Sequence, residues 1–177
     1  MKKKSMLDLH RVSVEEYASQ DKLPVVVVLD DVRSEMNVGS VFRTADAFAV
    51  ERICLCGITA VPPTPEIHKT ALGAEDSVVW EYFSSADEAV ETLIGQGYEV
   101  CAVEQVHDSM SLEKFMFSTT KKYALVFGNE VKGVRQTVVD KCQVCIEIPQ
   151  YGTKHSLNVA NSVAILLWEA LRQLRNG

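Results

Sequence analysis

Leu125-Val126-Phe127-Gly128-Asn129-Glu130-Val131-Lys132-Gly133-Val134 and Ile146-Glu147-Ile148-Pro149-Gln150-Tyr151-Gly152-Thr153-Lys154-His155-Ser156-Leu157-Asn158-Val159-Ala160 repeat one design. In each, an apolar strand enters a tight polar loop and the loop opens a helix. Ligands of open α/β sheets bind at the carboxyl ends of strands, where such loops offer free backbone N–H groups and small residues permit close approach. A further segment, Asn37-x-Gly39-x-x-x-Arg43, follows the apolar run Val25–Asp30.

The rest of the chain extends the alternation. Ser13-Val14-Glu15-Glu16 has capping-box spacing and predicts a short helix to about Ser19. Val25–Asp30 reads as a strand buried on both faces, and Asn37 as the cap of a helix to about Ala49 with Val38, Val41, Phe42, Ala45 and Phe48 on one side. Further strands are expected at Arg52–Cys56, Val78–Phe83, Tyr98–Val103, Lys122–Phe127 and Cys142–Ile148. Helices are expected at Ala86–Gly95, from about Val134, and over Leu157–Leu174, with a short one near Thr70–Leu72 after a Pro-rich connection. This pattern predicts a single α/β domain over residues 23–177, a parallel sheet with helices on both faces, preceded by a short extension over 1–22. The last helix carries an apolar stripe wider than one sheet contact requires. A core helix and a helix that also packs on a second subunit both account for it.

The chain has 177 residues, 47% apolar and 24% charged, an ordinary soluble composition. No apolar run reaches the ~18–20 residues of a bilayer span, and Lys2-Lys3-Lys4 leads into Asp8, His10 and Arg11 rather than an apolar signal core. A cytoplasmic protein without membrane contact is expected, its five cysteines reduced. Cys142-x-x-Cys145 lacks a second pair and a neighbouring His cluster, so no metal is expected. The net charge of −6 is concentrated in residues 51–100, which carry 2 basic and 9 acidic side chains. The charge on either side of that block is nearly balanced, which leaves RNA binding open.

Two nucleotide-binding readings fail. No Gly-x-Gly-x-x-Gly follows a strand, which excludes a Rossmann-type site. Gly128-x-x-x-x-Gly133 has the glycine spacing of a Walker A loop, but Val134-Arg135 stands where Lys-Ser/Thr is required.

The ordered set that is present resembles the SpoU (TrmH-type) group of SPOUT RNA methyltransferases, from about Val25 to Leu174. Three motifs carry the resemblance: Asn37-Val-Gly39-Ser-Val-Phe-Arg43-Thr-Ala-Asp46-Ala; Phe127-Gly128-Asn129-Glu130 with Gly133; and Ile148-Pro149 through Ser156-Leu157-Asn158-Val159-Ala160. Lys69-Thr70-Ala71-Leu72-Gly73-Ala74 is similar to the family as well. The resemblance implies a C-terminal trefoil knot that holds S-adenosylmethionine, and a homodimer with the last helix at its interface. It implies transfer of the methyl group to a ribose 2′-hydroxyl of RNA. The shortness of the segment before the first strand favours tRNA over rRNA.

Such a transfer is an in-line displacement, so the enzyme must align methyl and oxygen and help the hydroxyl lose its proton. The resemblance assigns Phe127, Gly128, Asn129, Gly133, Ile148, Pro149, Ser156 and Leu157 to the cofactor, with Ile148 and Leu157 as apolar walls. It assigns Arg43, Asn37, Glu130, Ser156 and Asn158 to catalysis. For Arg43 a general base and a phosphate clamp both stand, a guanidinium pKa above ~12 making the former demanding. Asn37 and Ser156 would otherwise be helix caps. Gln150-Tyr151 departs from the small or apolar residue usual there. Lys154, His155 and the basic N-terminus are candidate RNA contacts. A non-catalytic RNA-binding module and a base-methylating relative are the alternatives.

Overall fold

The computed structural model describes residues 1, 3–5 and 12–176; Lys2, His10 and Arg11, named above as candidate contacts, lie outside the described residues. The first helix among the described residues is α1 (Val14–Ser19), whose Ser13–Glu16 capping box forms as the spacing predicts, and Tyr17 is buried in the core. Strand β1 (Leu23–Asp30) leads to α2 (Glu35–Ala47), and β2 (Val50–Cys56) to α3 (Pro65–Ala71) and α4 (Ala74–Ser77). Then come β3 (Trp80–Phe83), α5 (Ala86–Gly95), β4 (Tyr98–Val103), the two-residue β5 (Met110–Ser111) and β6 (Lys122–Phe127). The chain finishes with α6 (Gln136–Val139), β7 (Val144–Glu147) and α7 (Val159–Asn176).

The seven strands form one all-parallel sheet in the order β3-β2-β1-β6-β4-β7-β5. Alternate β1 side chains feed two cores. Val25, Val27 and Leu29 pack with α2, α3 and α7, while Val26 and Val28 pack with α5 and Val138 of α6. A strand buried on both faces needs the continuous apolar run that β1 has. Gly39 lets α2 approach α3: a Cβ there would lie 2.1 Å from Thr70 Oγ1 and 2.3 Å from the Ile67 carbonyl oxygen.

Several boundaries differ from the sequence expectation, each for a local reason. The cap of α2 is Ser34, not Asn37; its side chain accepts the Asn37 backbone N–H at 3.2 Å, which leaves the Asn37 amide free for other partners. The helix near Thr70–Leu72 is longer and earlier, because Thr64 caps it and Pro65 occupies its first position. α6 starts two residues after Val134, and α4 and β5 are too short to leave a periodic trace. α7 begins at Val159 rather than Leu157, since the Asn158 side chain accepts the Ala160 N–H at 2.9 Å; Ser156 makes no capping bond.

Candidate functional site

β6, β4 and β7 are adjacent and parallel, so Phe127, Val103 and Glu147 end along one edge of the sheet. The loops that leave them surround a cavity of about 530 Å³. Phe127, Gly128, Asn129, Gly133, Ile148, Ser156 and Leu157 all line it, as do Glu130 and Asn158. Pro149 does not: it faces a separate groove with Leu112, Ile165 and Trp168, although its neighbours Ile148 and Gln150 both line the cavity. Arg43 and Asn37 on α2 are not part of the lining either.

The loop after β6 is closed on itself. Asn129 and Gly133 exchange backbone hydrogen bonds of 3.1 and 2.9 Å, and Asn129 Oδ1 accepts the Val131 and Lys132 N–H groups. Gly133 sits at φ 68°. A Cβ on Gly128 would lie 2.1 Å from Gly133 C and Val134 N, so only glycine fits. Two contacts tie the loop to the end of β1. Asn129 Nδ2 donates to the Asp31 carbonyl at 2.7 Å, and Arg135 donates from Nε and a terminal nitrogen to the fully buried Asp30 carboxylate at 3.0 and 2.8 Å.

Glu130 is where the loop meets α2. Its carboxylate accepts the backbone N–H groups of Arg33 at 2.9 Å and Ser34 at 3.0 Å, and the Asn37 side-chain amide at 3.0 Å. Desolvation would raise its pKa, but the hydrogen bonds from Arg33, Ser34 and Asn37 outweigh it and hold the group below the usual carboxylate value. Asn37 Oδ1 in turn accepts the Asn158 amide at 3.0 Å. The three sequence motifs are thus linked in one hydrogen-bonded chain, Glu130–Asn37–Asn158. Three bonds leave Glu130 poorly suited to proton transfer and well suited to positioning.

Arg43 is exposed on α2, and its side chain has no hydrogen-bond or ion-pair partner among the described residues. The Arg33, Lys132 and Lys154 side chains are likewise unpaired, and Lys132 lines the cavity. By contrast Arg52, Lys141 and Arg172 are all held in ion pairs.

Sequence reading missed Glu104, Gln105 and Glu147, which also line the cavity. Glu104 Oε2 accepts the Val134 N–H at 2.8 Å and fills the space beside Gly133, where a Cβ would meet it at 2.2 Å. Gln105 Nε2 donates to the His155 carbonyl at 2.9 Å, holding the last loop against the end of β4. The available signal was the position of Glu104 and Gln105 just past the predicted strand Tyr98–Val103, and of Glu147 near the end of the predicted strand Cys142–Ile148. Cys142 and Cys145 are free thiols; burial pushes Cys142 up to about 12 and Cys145 upward. Among the described residues no group of three or more His, Cys, Asp or Glu side chains is arranged to hold a metal ion.

The model of the SpoU rRNA Methylase family matches residues 24–168. The 23S rRNA (guanosine-2'-O-)-methyltransferase RlmB of Vibrio parahaemolyticus is 30% identical over 167 residues, 93% of this chain and 66% of that protein. A TrmH/SpoU tRNA modifying enzyme of A. aeolicus superposes with a TM-score of 0.81 at 26% identity, covering 92% of this chain and 81% of that one. An AdoMet-bound rRNA methyltransferase of Sinorhizobium meliloti gives a TM-score of 0.78 at 27% identity, covering 87% and 61%. The chain spans between 61% and 66% of the length of the curated relatives it matches.

Proposed function

The chain belongs to the SpoU rRNA Methylase family, and from that premise we propose that it transfers a methyl group from S-adenosylmethionine to a ribose 2′-hydroxyl of RNA. One observation carries the reading. The Glu130–Asn37–Asn158 chain draws three distant segments together beside a cavity at the carboxyl ends of β4, β6 and β7. A pure binding module would not need that set.

The residues fit the cofactor. About 530 Å³ accommodates a nucleoside joined to an amino acid. Ile148 and Leu157 supply apolar surface, and Glu104 and Glu147 place carboxylates in a cavity whose ligand is cationic at sulfur and nitrogen. Bound there, S-adenosylmethionine supplies a methyl group activated by the positive sulfur. Phe127, Gly128, Asn129 and Gly133 shape one wall, and Ser156 and Leu157 belong to the other. Glu130, Asn37 and Asn158 hold these walls in register. Arg43 is assigned to the substrate: its unpaired guanidinium is available to clamp an RNA phosphate and orient the 2′-hydroxyl, a role that needs no deprotonation.

The proposal extends to three coarser features. The chain path is the trefoil knot of the family, supported by β7 lying between the earlier strands β4 and β5 while α7 returns to α2. The catalytic unit is residues 23–177, with 1–22 an extension that packs through Tyr17. The working form is a cytoplasmic homodimer joined through α7, where Trp168 remains 57% and Ile165 39% exposed beside the Pro149 groove; sedimentation tests the dimer. No helix among the described residues is long and apolar enough to cross a membrane.

Transfer of label from S-adenosylmethionine to unmodified total tRNA and rRNA, followed by nucleoside mass spectrometry, tests the reaction. A 2′-O-methylnucleoside in the tRNA fraction is the expected result, in line with the similarity to the A. aeolicus tRNA modifying enzyme. The same product in rRNA alone would move the substrate class. A methylated base would replace the ribose assignment, and cofactor binding without transfer would favour a binding module.

A further inference from the structure

We propose that Tyr151 is a stacking platform for an unpaired base of the RNA, so that the cavity is presented to single-stranded loops rather than duplex; this rests on the reading of the site as an RNA methyltransferase. Gln150 and His155 both line the cavity, so the segment between them forms its rim. The far end is fixed by the Gln105–His155 hydrogen bond of 2.9 Å. Tyr151 stands on this rim 92% exposed, and among the described residues it has no hydrogen-bond, ring or ion partner. A Cβ on the adjacent Gly152 would meet nothing within 4 Å, so the tip of the loop stands clear of the domain.

A tyrosine this exposed buries almost no apolar surface and adds nothing to the fold. Single exposed apolar side chains are common on proteins; the seat between two cavity residues sets this one apart. The other large aromatics that are more than half exposed each have a partner: Trp168 packs against Phe48 with ring centroids 6.1 Å apart, and the Tyr82 hydroxyl donates to the Gly57 carbonyl at 3.0 Å. Tyr151 has no such neighbour.

Unpaired cations accompany it. Lys154 lies on the same loop and Lys132 on the loop across the cavity, both exposed. Aromatic faces that stack bases, combined with cations that follow the phosphates, are the recurring equipment of single-strand recognition. A duplex hides its base faces and would leave the ring without a partner.

The test uses the full chain with Tyr151→Ala and Tyr151→Phe. Each is titrated with a short fluorescein-labelled single-stranded RNA of mixed sequence, and with the same strand annealed to its complement. Tyr151→Ala should bind the single strand about fivefold or more weakly, the loss carried by one base–aromatic stack, while Tyr151→Phe keeps affinity and neither changes duplex binding. With an RNA that accepts methyl, Tyr151→Ala should raise KM and leave kcat and S-adenosylmethionine affinity unchanged. An unchanged single-strand affinity, an equal loss on duplex, or a loss in Tyr151→Phe as large as in Tyr151→Ala overturns the proposal. So does a change in sedimentation with RNA affinity intact, which would make the ring a protein contact. Binding needs no turnover, so absence of methyl transfer to any RNA would defeat the reaction while the stacking result still stood or fell by itself.

Discussion

The side-chain amide of Asn158 donates to Oδ1 of Asn37 at 3.0 Å, joining residues 121 positions apart. The polarity of this bond is imposed from both ends. Glu130 is ionised and can only accept, so Asn37 must turn its Nδ2 toward it. That leaves Asn37 Oδ1 for Asn158 Nδ2, and Asn158 Oδ1 for the Ala160 backbone N–H at 2.9 Å. Neither amide can flip without setting like against like.

Asn37→Asp places an acceptor against the Glu130 carboxylate, whereas Asn37→Ala only removes partners. The Asp variant should be the less stable of the two by ~1–2 kcal/mol, read from urea unfolding. Coincident midpoints would mean that the chain has no enforced polarity.

Glu130 has a folded-state pKa below its ordinary 4.5. It therefore stabilises the fold above that pH, and this contribution disappears as pH falls through the depressed folded value. Glu130→Gln should flatten part of the stability loss seen on acidification below about pH 4.5. The flattening is partial, because Glu75, Asp87 and Glu169 are shifted in the same direction. The rate–pH profile of the wild type near neutrality should contain no ionisation assignable to Glu130.

Gly128→Ala drives a methyl into the backbone of Gly133 and Val134 at 2.1 Å, and backbone cannot swing aside. A loss of about 1–3 kcal/mol in stability is expected, together with loss of S-adenosylmethionine binding by calorimetry. Gly152→Ala meets nothing within 4 Å and serves as the comparison. Equal cofactor affinities for the two variants would remove Gly128 from the site.

Arg135→Ala strands the Asp30 carboxylate, which is 0% exposed. The cost should be about 3 kcal/mol, the lower end for breaking a buried pair, since water can reach a position whose arginine is 40% exposed. Arg135→Lys should recover little, because one ammonium cannot reproduce the paired Nε and terminal-nitrogen bonds. Thermal unfolding of both variants checks the order.

Arg43→Ala removes no bond present in the fold, so unfolding should shift by less than about 0.5 kcal/mol. Methyl transfer should nevertheless fall by roughly 100-fold or more, a loss of about 3 kcal/mol in transition-state binding. Activity close to wild type would take Arg43 out of the mechanism.

Much of the architecture was legible from local pattern. The bounds of α5, β4 and β6 match the sequence reading residue for residue, because each is bracketed by a cap, a glycine or a charge and has an unbroken period between. Both strand–loop–helix segments arrive where the alternation put them. The cap of α2 was not legible, since Ser34 and Asn37 are equally good caps in isolation. The choice is made by Glu130, which claims the Asn37 side chain from far along the chain. The position of Pro149 was not legible either: its neighbours in sequence line the cavity, but it lines a groove with residues of α7.

The alternation of the longer strands and helices and the two glycine-bearing loops followed from sequence alone, because periodicity and turn chemistry are properties of adjacent residues; the motif residues were picked out by their resemblance to the SpoU group. The order β6-β4-β7 did not follow, and with it came everything that depends on which strand ends meet: Glu104 and Gln105 at the cavity wall, the Arg135–Asp30 clamp and the Glu130–Asn37–Asn158 chain. Those contacts arise between side chains tens of residues apart, and only packing of the whole sheet brings their hydrogen-bonding groups within 3 Å or so of one another.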